Sequence, residues 1–176
     1  MRYVDRAGAD HRLLAALRGC GHRPGVAAAA RALSFSGEHA ALWIAAGLLG
    51  AAADRERRGE WLRGTALTGA AHLASMGVKR VVRRPRPAGP PEPLVRTAGR
   101  HSFPSSHATS AAAAAVAYGA LYPAVRRLAA PTAAAMCLSR LVAGVHHPTD
   151  VVAGALLGAL TAGAGARWQR RGGARP

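Results

Sequence analysis

Three short segments of this 176-residue chain carry side chains that together could remove a phosphoryl group without a metal ion. In chain order they are Lys79-x6-Arg86-Pro87, Pro104-Ser105-Ser106-His107 and Ser139-Arg140-x5-His146-x3-Asp150. Three cations and a serine could hold the phosphoryl oxygens, because cations and hydroxyl donors stabilise the charge on them. Two histidines could then act as nucleophile and general acid.

The pair His146 and Asp150 is central to this interpretation. Pro148 suits the first turn of a helix, where its missing N–H costs nothing, so Asp150 is expected in that first turn and can reach back to His146. A carboxylate that holds one imidazole nitrogen leaves a lone pair on the other, as a nucleophile requires. The alternative is that Asp150 only caps the helix and that His146 is incidental.

His107 is predicted to open a helix, because Pro104-Ser105-Ser106 precedes it and a run of alanines follows. The backbone N–H groups and the dipole at a helix start favour an anion. Ser105 and Ser106 could add hydroxyl donors, or could simply be N-caps. We expect His107, protonated beside the phosphate, to donate a proton to the leaving oxygen.

The cations Lys79, Arg86 and Arg140 are predicted to bind the phosphate. Arg140 interrupts an apolar run, and an arginine at membrane depth without a partner is costly, so a functional partner is expected for it. The other arginines near the first motif are expected to face lipid headgroups: Arg80, Arg83 and Arg84.

The remaining histidines receive lesser roles. His147 competes as nucleophile but lies three rather than four residues before Asp150, so we assign it, together with His101, to the lining of the pocket. No metal or other cofactor is predicted, because only Asp150 would offer a carboxylate near these histidines and the surplus of cations opposes a divalent ion. The rest are expected at the interface or in packing: His11, His22, His39 and His72.

Five apolar runs must position these groups, and they cover residues 40–53, 64–78, 108–125, 128–139 and 151–166. As a helix the longest would reach about 27 Å, against a hydrocarbon core of about 30 Å, so flanking arginines would have to snorkel. We therefore predict an all-α, integral-membrane bundle with about five spans. It forms a single domain over residues 1–176, with the catalytic motifs in 79–150.

The segments between the runs support this topology. Residues 10–33 mix arginines with leucines and alanines and are interrupted at 19–25. They predict one or two amphipathic helices at the interface, within an N-terminal segment 1–35. Residues 83–100 hold five of the eleven prolines and predict a loop. Counting spans then places all three motifs at one membrane face, and Gly154 with Gly158 would allow close helix packing.

The charge distribution favours a membrane over nucleic acid. A net charge of +16 would ordinarily suggest a nucleic-acid partner, but the arginines cluster at the edges of the apolar runs. The positive-inside rule gives no orientation, because the two faces carry similar numbers of cations. Cys20 and Cys137 form no metal or redox motif. The N-terminus lacks the pattern of a cleaved signal peptide.

The three motifs resemble those of the type 2 phosphatidic acid phosphatase superfamily, which also includes vanadium-dependent haloperoxidases. The family pattern is K-x6-R-P, then P-S-G-H, then S-R-x5-H-x3-D. One departure is Ser106, which stands where the family has glycine; we expect altered substrate fit, because its N–H can still bind phosphate while its side chain narrows the pocket. Ten positions match in order and spacing: Lys79, Arg86, Pro87, Pro104, Ser105, His107, Ser139, Arg140, His146 and Asp150.

The resemblance implies an all-helical six-helix core and a phosphohistidine intermediate on His146, with Asp150 orienting that ring and His107 protonating the leaving alcohol. It also implies inhibition by vanadate and no requirement for a metal. The chain is similar to short membrane members that act on polyprenyl substrates, and residues 31–39 are similar to members that dephosphorylate decaprenylphosphoryl-5-phosphoribose. The phosphate ligands that it implies are Lys79, Arg86, Ser105, the Ser106 N–H and Arg140.

The leading hypothesis is thus a lipid phosphatase of a cell membrane, the bacterial inner membrane in particular. Its substrate is left open among a polyprenyl-phosphoribose phosphate, a polyprenyl diphosphate, and phosphatidic acid or phosphatidylglycerophosphate. The second hypothesis is a non-catalytic membrane protein that binds anionic lipids, although binding alone needs neither His107 nor His146 nor Asp150. A nucleic-acid binder comes third, and the sequence leaves the oligomeric state open.

Overall fold

A computed structural model describes the backbone of residues 2–97 and 99–172, and the side chains of residues 8, 10–97 and 99–165. This part of the chain forms seven α-helices and two 3-10 helices, Cys20–His22 and Glu38–Ala40, and its only β-type pairing is an isolated bridge between Pro85 and His101. The prediction of an all-helical protein is therefore confirmed. The α-helices are α1 (Arg2–Gly19), α2 (Pro24–Ser36), α3 (Ala41–Ala53), α4 (Arg58–Val82), α5 (Ser106–Gly119), α6 (Pro123–Val142) and α7 (Pro148–Gly172).

Three of the five apolar runs lie within single helices, and the run 40–53 coincides with α3 except for Ala40, but the run 108–125 is divided between two helices. Helix α5 ends at Gly119, and α6 begins at Pro123. Proline has no N–H to donate to the preceding turn, so it is disfavoured inside a helix and favoured in its first turn. The expectation of one helix through 108–125 was wrong for this reason. The predicted loop is present, because the described residues between α4 and α5, 83–97 and 99–105, contain no helix.

Helix α5 lies at the centre of the bundle and contacts α4, α6 and α7. Two glycines let α7 come very close to it. A Cβ atom on Gly158 would lie 2.0 Å from the carbonyl oxygen of Thr109, and one on Gly154 would lie 2.5 Å from that of Ser105. The predicted pair of small residues thus brings the first turn of α7 against the first turn of α5. There the Ser105 N–H donates to the carbonyl oxygen of Asp150 (2.9 Å).

The N-terminal helices pack on the bundle. Helix α1 contacts α6 and α7, and α2 contacts α6. Arg18 on α1 is buried and donates to the carbonyl oxygens of Gly89 and Pro91 in the proline-rich loop. The segment predicted to lie at the interface therefore also holds the loop that carries part of the site.

The bundle buries many polar side chains and exposes large apolar ones. Buried hydroxyls such as those of Thr68 and Thr109 donate to carbonyl groups one turn back in their own helices. Large apolar side chains point outward instead, including Leu73 (71% exposed), Leu128 (73%) and Leu160 (70%). In the described residues, the length and apolarity that a membrane crossing requires are not found together in any helix.

Candidate active site

A cavity of about 110 Å³ collects residues from all three motifs. It lies where the end of α4, the start of α5, the end of α6 and the start of α7 meet, with the loop 83–105 alongside. Far-separated segments of the chain therefore contribute to one site. The motif residues that line the cavity are Lys79, Arg86, Ser106, His107, Arg140 and His146.

His146 is buried, and its two ring nitrogens face different partners. Nε2 lies 3.4 Å from Nη1 of Arg86, and a guanidinium can only donate, so this nitrogen carries the lone pair. Nδ1 lies 3.6 Å from Oδ2 of Asp150, which is an electrostatic contact slightly longer than a hydrogen bond. Burial lowers the pKa of His146 to about 4, although Asp150 acts in the opposite direction. The imidazole is therefore neutral at neutral pH, with an available lone pair.

Asp150 is completely buried, and both of its oxygens are held. Oδ2 accepts the backbone N–H of His147 (2.8 Å), and Oδ1 accepts Nη1 of Arg84 (2.9 Å). Burial alone would raise the pKa of Asp150, but its contacts with His146, the His147 N–H and Arg84 together keep the pKa below its usual value. The expectation that Arg84 faces headgroups was wrong, because a buried carboxylate 66 residues away binds it.

His107 is fixed by a contact that the sequence did not indicate. Its Nε2 lies 3.0 Å from the carbonyl oxygen of Ser34 on α2, and a carbonyl only accepts, so Nε2 donates. Burial and the charge of Arg140 lower the pKa of His107 to about 3. The protonated ring that we expected therefore requires an anion in the cavity, whose negative charge would oppose these two effects.

The three predicted cations are held by neutral oxygens. Lys79 Nζ donates to the carbonyl oxygen of Pro104 (2.6 Å), and Arg86 donates to those of Gly99 and Val145 (both 2.8 Å). Buried Arg140 donates from Nη1 to the Ser34 hydroxyl, and its Nε has no partner among the described residues.

These contacts leave the positive charge of the cavity largely uncompensated. Over the part of the chain that the structure describes, no carboxylate lies within 4.0 Å of Lys79, Arg86 or Arg140. Burial and the charge of Arg86 lower the pKa of Lys79 to about 8, and the same two causes lower the pKa of Arg140 to about 10. Burial and like charge thus outweigh the attraction of Asp150 for Lys79 and of Glu38 for Arg140, and an anion bound in the cavity would oppose both effects.

Four predicted site residues lie outside the cavity wall: Asp150, described above, and Ser105, His101 and His147. Ser105 is fully buried as the N-cap of α5, where its hydroxyl accepts the N–H of Ala108 (3.5 Å). His101 is part of the bridge to Pro85 in the loop. The ring of His147 packs edge-on against that of His11 on α1, with 5.8 Å between ring centroids.

Other residues line the cavity without having been predicted. His39 and His72 were assigned to interfacial or packing roles, but both lie in its wall beside Glu38, Met76 and Thr97. They belong to no motif, and only the packing of the 3-10 helix Glu38–Ala40 against α4 and α5 brings them there. Ser106, which replaces the family glycine, also lines the wall and places its Oγ 3.7 Å from the sulfur of Met76.

This arrangement is suited to the transfer of a phosphoryl group. A neutral imidazole presents a lone pair to a cavity that holds three cations and a second imidazole, and a buried carboxylate lies behind the first ring. Among the residues described, no group of three or more histidine, cysteine, aspartate or glutamate side chains could hold a metal ion.

The chain is similar to known proteins over most of its length. Residues 60–173 match the PAP2 superfamily. Over 150 residues the chain is 49% identical to a decaprenylphosphoryl-5-phosphoribose phosphatase of Mycolicibacterium smegmatis, covering 84% of this chain and 81% of that relative. A protein of the same name from Mycobacterium tuberculosis is 47% identical over 142 residues, covering 78% and 77%.

A solved structure has a similar fold. It is a transmembrane PAP2-type phosphatidylglycerolphosphate phosphatase from Bacillus subtilis, with a TM-score of 0.58 and 22% sequence identity. The match covers 93% of this chain and 95% of the other. At this identity the likeness shows the fold alone.

Proposed function

This chain belongs to the PAP2 superfamily and is a lipid phosphatase, and we propose that it hydrolyses the phosphate monoester of decaprenylphosphoryl-5-phosphoribose through a phosphohistidine on His146. The observation that carries the proposal is the single cavity that joins His146 and His107 to three cations without carboxylate partners. The substrate is suggested by the two mycobacterial relatives, whose names specify this lipid.

The proposed reaction has two steps. In the first, Nε2 of His146 attacks phosphorus, the P–N bond forms and the bond to the ribose oxygen breaks, while His107 donates a proton to that oxygen. In the second, His107 accepts a proton from water, which attacks phosphorus and releases inorganic phosphate and free His146. Asp150 stabilises the positive charge that the His146 ring acquires in the intermediate.

Lys79, Arg86 and Arg140 are proposed to bind the three non-bridging phosphoryl oxygens, with help from the Ser106 N–H at the start of α5. The Ser105 hydroxyl, as the helix cap, would act on the phosphate only by holding this helix start in place. No metal takes part in these steps, and activity in excess EDTA is the corresponding expectation.

The charge of Lys79 should set the alkaline limit of catalysis. Because its pKa is lowered to about 8, the ammonium is present below that pH and lost as pH rises through it. We expect kcat/KM to fall about tenfold per pH unit above this point, as for the loss of one required proton. In Lys79→Arg the guanidinium stays charged, and the alkaline limb should move to higher pH. If the alkaline fall of kcat/KM occurs at the same pH in wild type and variant, a group other than Lys79 is responsible for it.

Features beside the phosphate site fit a substrate with a sugar. Glu38 is the only carboxylate among the residues that line the cavity, and its side chain is 43% exposed. A carboxylate disfavours an anion but accepts hydrogen bonds from hydroxyl groups, so we propose that Glu38 binds the ribose hydroxyls. A second cavity of about 480 Å³ shares Arg86 and Thr97 with the first and offers room for the rest of the headgroup.

A substrate panel tests this assignment. We expect purified protein in detergent with EDTA to hydrolyse decaprenylphosphoryl-5-phosphoribose with a kcat/KM at least about tenfold above that for phosphatidic acid, phosphatidylglycerophosphate or a polyprenyl diphosphate. That ratio corresponds to one hydrogen bond to a charged group. The measurement is the release of inorganic phosphate. Preference for phosphatidic acid would contradict the substrate but not the phosphatase activity.

Glu38→Gln provides the matched variant for the panel. It keeps the shape of the side chain and removes its charge, so kcat/KM for the phosphoribose lipid should fall about tenfold. Phosphatidic acid has no free hydroxyl group, and its kcat/KM should not fall. An equal loss for both lipids would show that Glu38 supports the cavity rather than the sugar.

We also propose that the enzyme is a multi-pass protein of the bacterial inner membrane, organised as one domain over residues 1–176 with a six-helix core. The outward-facing leucines of α4, α6 and α7 support this, because apolar side chains on the surface of a bundle are typical of contact with lipid. Lipid would cover the apolar runs 40–53, 64–78, 108–125, 128–139 and 151–166. The catalytic side chains lie at or beyond the ends of these runs.

A further inference from the structure

We infer that Asp10, on the N-terminal helix α1, is a positioning residue that acts through Arg84 on the catalytic carboxylate Asp150. This inference rests on the proposed function, because it assigns Asp10 a role in the reaction at His146. Neither Asp10 nor Arg84 belongs to the three motifs, and neither lines the cavity.

Arg84 fixes one half of the Asp150 carboxylate. Its Nη1 donates to Oδ1 at 2.9 Å, while the backbone N–H of His147 holds Oδ2 at 2.8 Å. With both oxygens held, the carboxylate plane is fixed, and Oδ2 faces Nδ1 of His146. The orientation of the nucleophile therefore depends on where the guanidinium of Arg84 sits.

Arg84 needs a second anchor to hold this position. Its side chain is 30% exposed, and a partly solvated arginine loses conformational entropy when it is fixed in one rotamer. Asp10 supplies the anchor, because its Oδ2 lies 3.3 Å from Nη2 of Arg84. The guanidinium thus bridges two carboxylates, and Thr149 Oγ1 accepts a further bond from Nη1 (2.7 Å).

Asp10 is itself held firmly, with only 8% of its surface exposed. Its Oδ1 accepts the backbone N–H of Thr149 at 3.2 Å, and its Oδ2 accepts the Thr149 hydroxyl at 2.6 Å. Asp10 therefore connects α1 to the first turn of α7, the turn that carries Asp150. Helix α1 lies outside all three motifs, but its position can affect the nucleophile through three charged groups, Asp10, Arg84 and Asp150.

A simpler role for Asp10 would be to cap α7, and one substitution separates the two roles. In Asp10→Asn the side-chain oxygen can still accept the Thr149 N–H, so the cap is kept, but the charge facing Arg84 is lost. If Asp10 only caps α7, the Asp10→Asn variant should keep most of the wild-type kcat. If Asp10 positions Arg84, the kcat of this variant should fall.

The test uses full-length protein in detergent, with decaprenylphosphoryl-5-phosphoribose and p-nitrophenyl phosphate as substrates. We expect Asp10→Asn to lower kcat about tenfold, as for one charge-assisted hydrogen bond, with KM unchanged because Asp10 does not line the cavity. Single-turnover formation of the phosphoenzyme should slow by the same factor. Asp10→Glu, which keeps the charge, should recover part of the rate.

Arg84→Gln removes the other partner of the contact between Asp10 and Arg84. It should lower kcat by at least as much as Asp10→Asn, and the double variant should resemble Arg84→Gln alone, because both changes break one chain of contacts. Arg12→Gln, which changes an exposed charge on the same helix, should behave as wild type. Thermal unfolding of each variant shows whether α1 remains packed.

Wild-type kcat in Arg84→Gln would overturn the inference, as would additive losses in the double variant. If Asp10→Asn fails to fold, the kcat of Arg84→Gln tests the inference by itself, because that variant keeps the contact between Asp10 and the start of α7. A loss of kcat with unchanged KM supports the inference, and a rise in KM alone contradicts it. A wild type that releases no phosphate from either compound would overturn the proposed function and this inference with it.

Discussion

His146→Ala should reduce the release of phosphate from decaprenylphosphoryl-5-phosphoribose by at least about 10³-fold, because the variant has no group to form the covalent intermediate. In the structure Nε2 of His146 is the lone-pair nitrogen that faces the cavity, and the low pKa of this ring keeps it unprotonated. Wild-type protein quenched during turnover should carry a phosphoryl group that is stable in alkali and labile in acid, as phosphohistidine is. The variant should carry none.

The neighbouring His147 provides the control for this experiment. It is also buried and adjacent in sequence, but its ring packs against His11 outside the cavity. The bond from the His147 backbone N–H to Asp150 survives substitution of the side chain. His147→Ala should therefore still form the phosphoenzyme. Phosphoenzyme in His146→Ala but not in His147→Ala would assign the nucleophile to His147, and turnover without any phosphoenzyme would indicate direct attack by water.

His107→Ala should produce the second-largest loss, about 10²- to 10⁴-fold on a lipid phosphate, the range typical of a general acid. The effect should depend on the leaving group. An alkoxide such as that of ribose needs a proton as it departs, whereas p-nitrophenolate is stable without one. We therefore expect the loss in phosphoenzyme formation to be much smaller with p-nitrophenyl phosphate.

The comparison between the two substrates separates catalysis from packing. His107 also donates a hydrogen bond to Ser34 on α2, so its removal could loosen the cavity wall. A loosened wall would affect both substrates equally, and equal losses would contradict the role of general acid. Thermal unfolding of His107→Ala and His107→Gln measures the packing contribution independently.

Much of the local structure follows from the residues themselves. The apolar runs predict the positions of α3, α4, α6 and α7, because helical periodicity and helix-breaking residues act over a few positions. The i, i+4 spacing of His146 and Asp150 around Pro148 was sufficient to predict their contact. Pro123 marks the boundary between α5 and α6, but the run 108–125 contains no charged residue that would divide it.

The residues that support the site could not be predicted from the local sequence. Arg84 is one of several arginines beside the first motif, and nothing local distinguishes it from Arg80 or Arg83. Its role depends on Asp10, which lies 74 residues away on another helix. Glu38 and His72 likewise enter the cavity wall only because the 3-10 helix Glu38–Ala40 packs against α4 and α5.

The chemical class of this protein can be predicted from the order and spacing of its motifs, because the proposed nucleophile, acid and cations stand at positions whose spacing has a direct structural meaning. Which charges compensate one another depends on how the helices pack. Glycines on α7 bring two helix starts into contact, α1 packs on the start of α7, and the buried carboxylate of Asp150 binds Arg84 rather than a neighbouring arginine. The two differ in range, because helix formation is governed by residues a few positions apart, whereas the pairing of buried charges depends on the relative positions of whole helices.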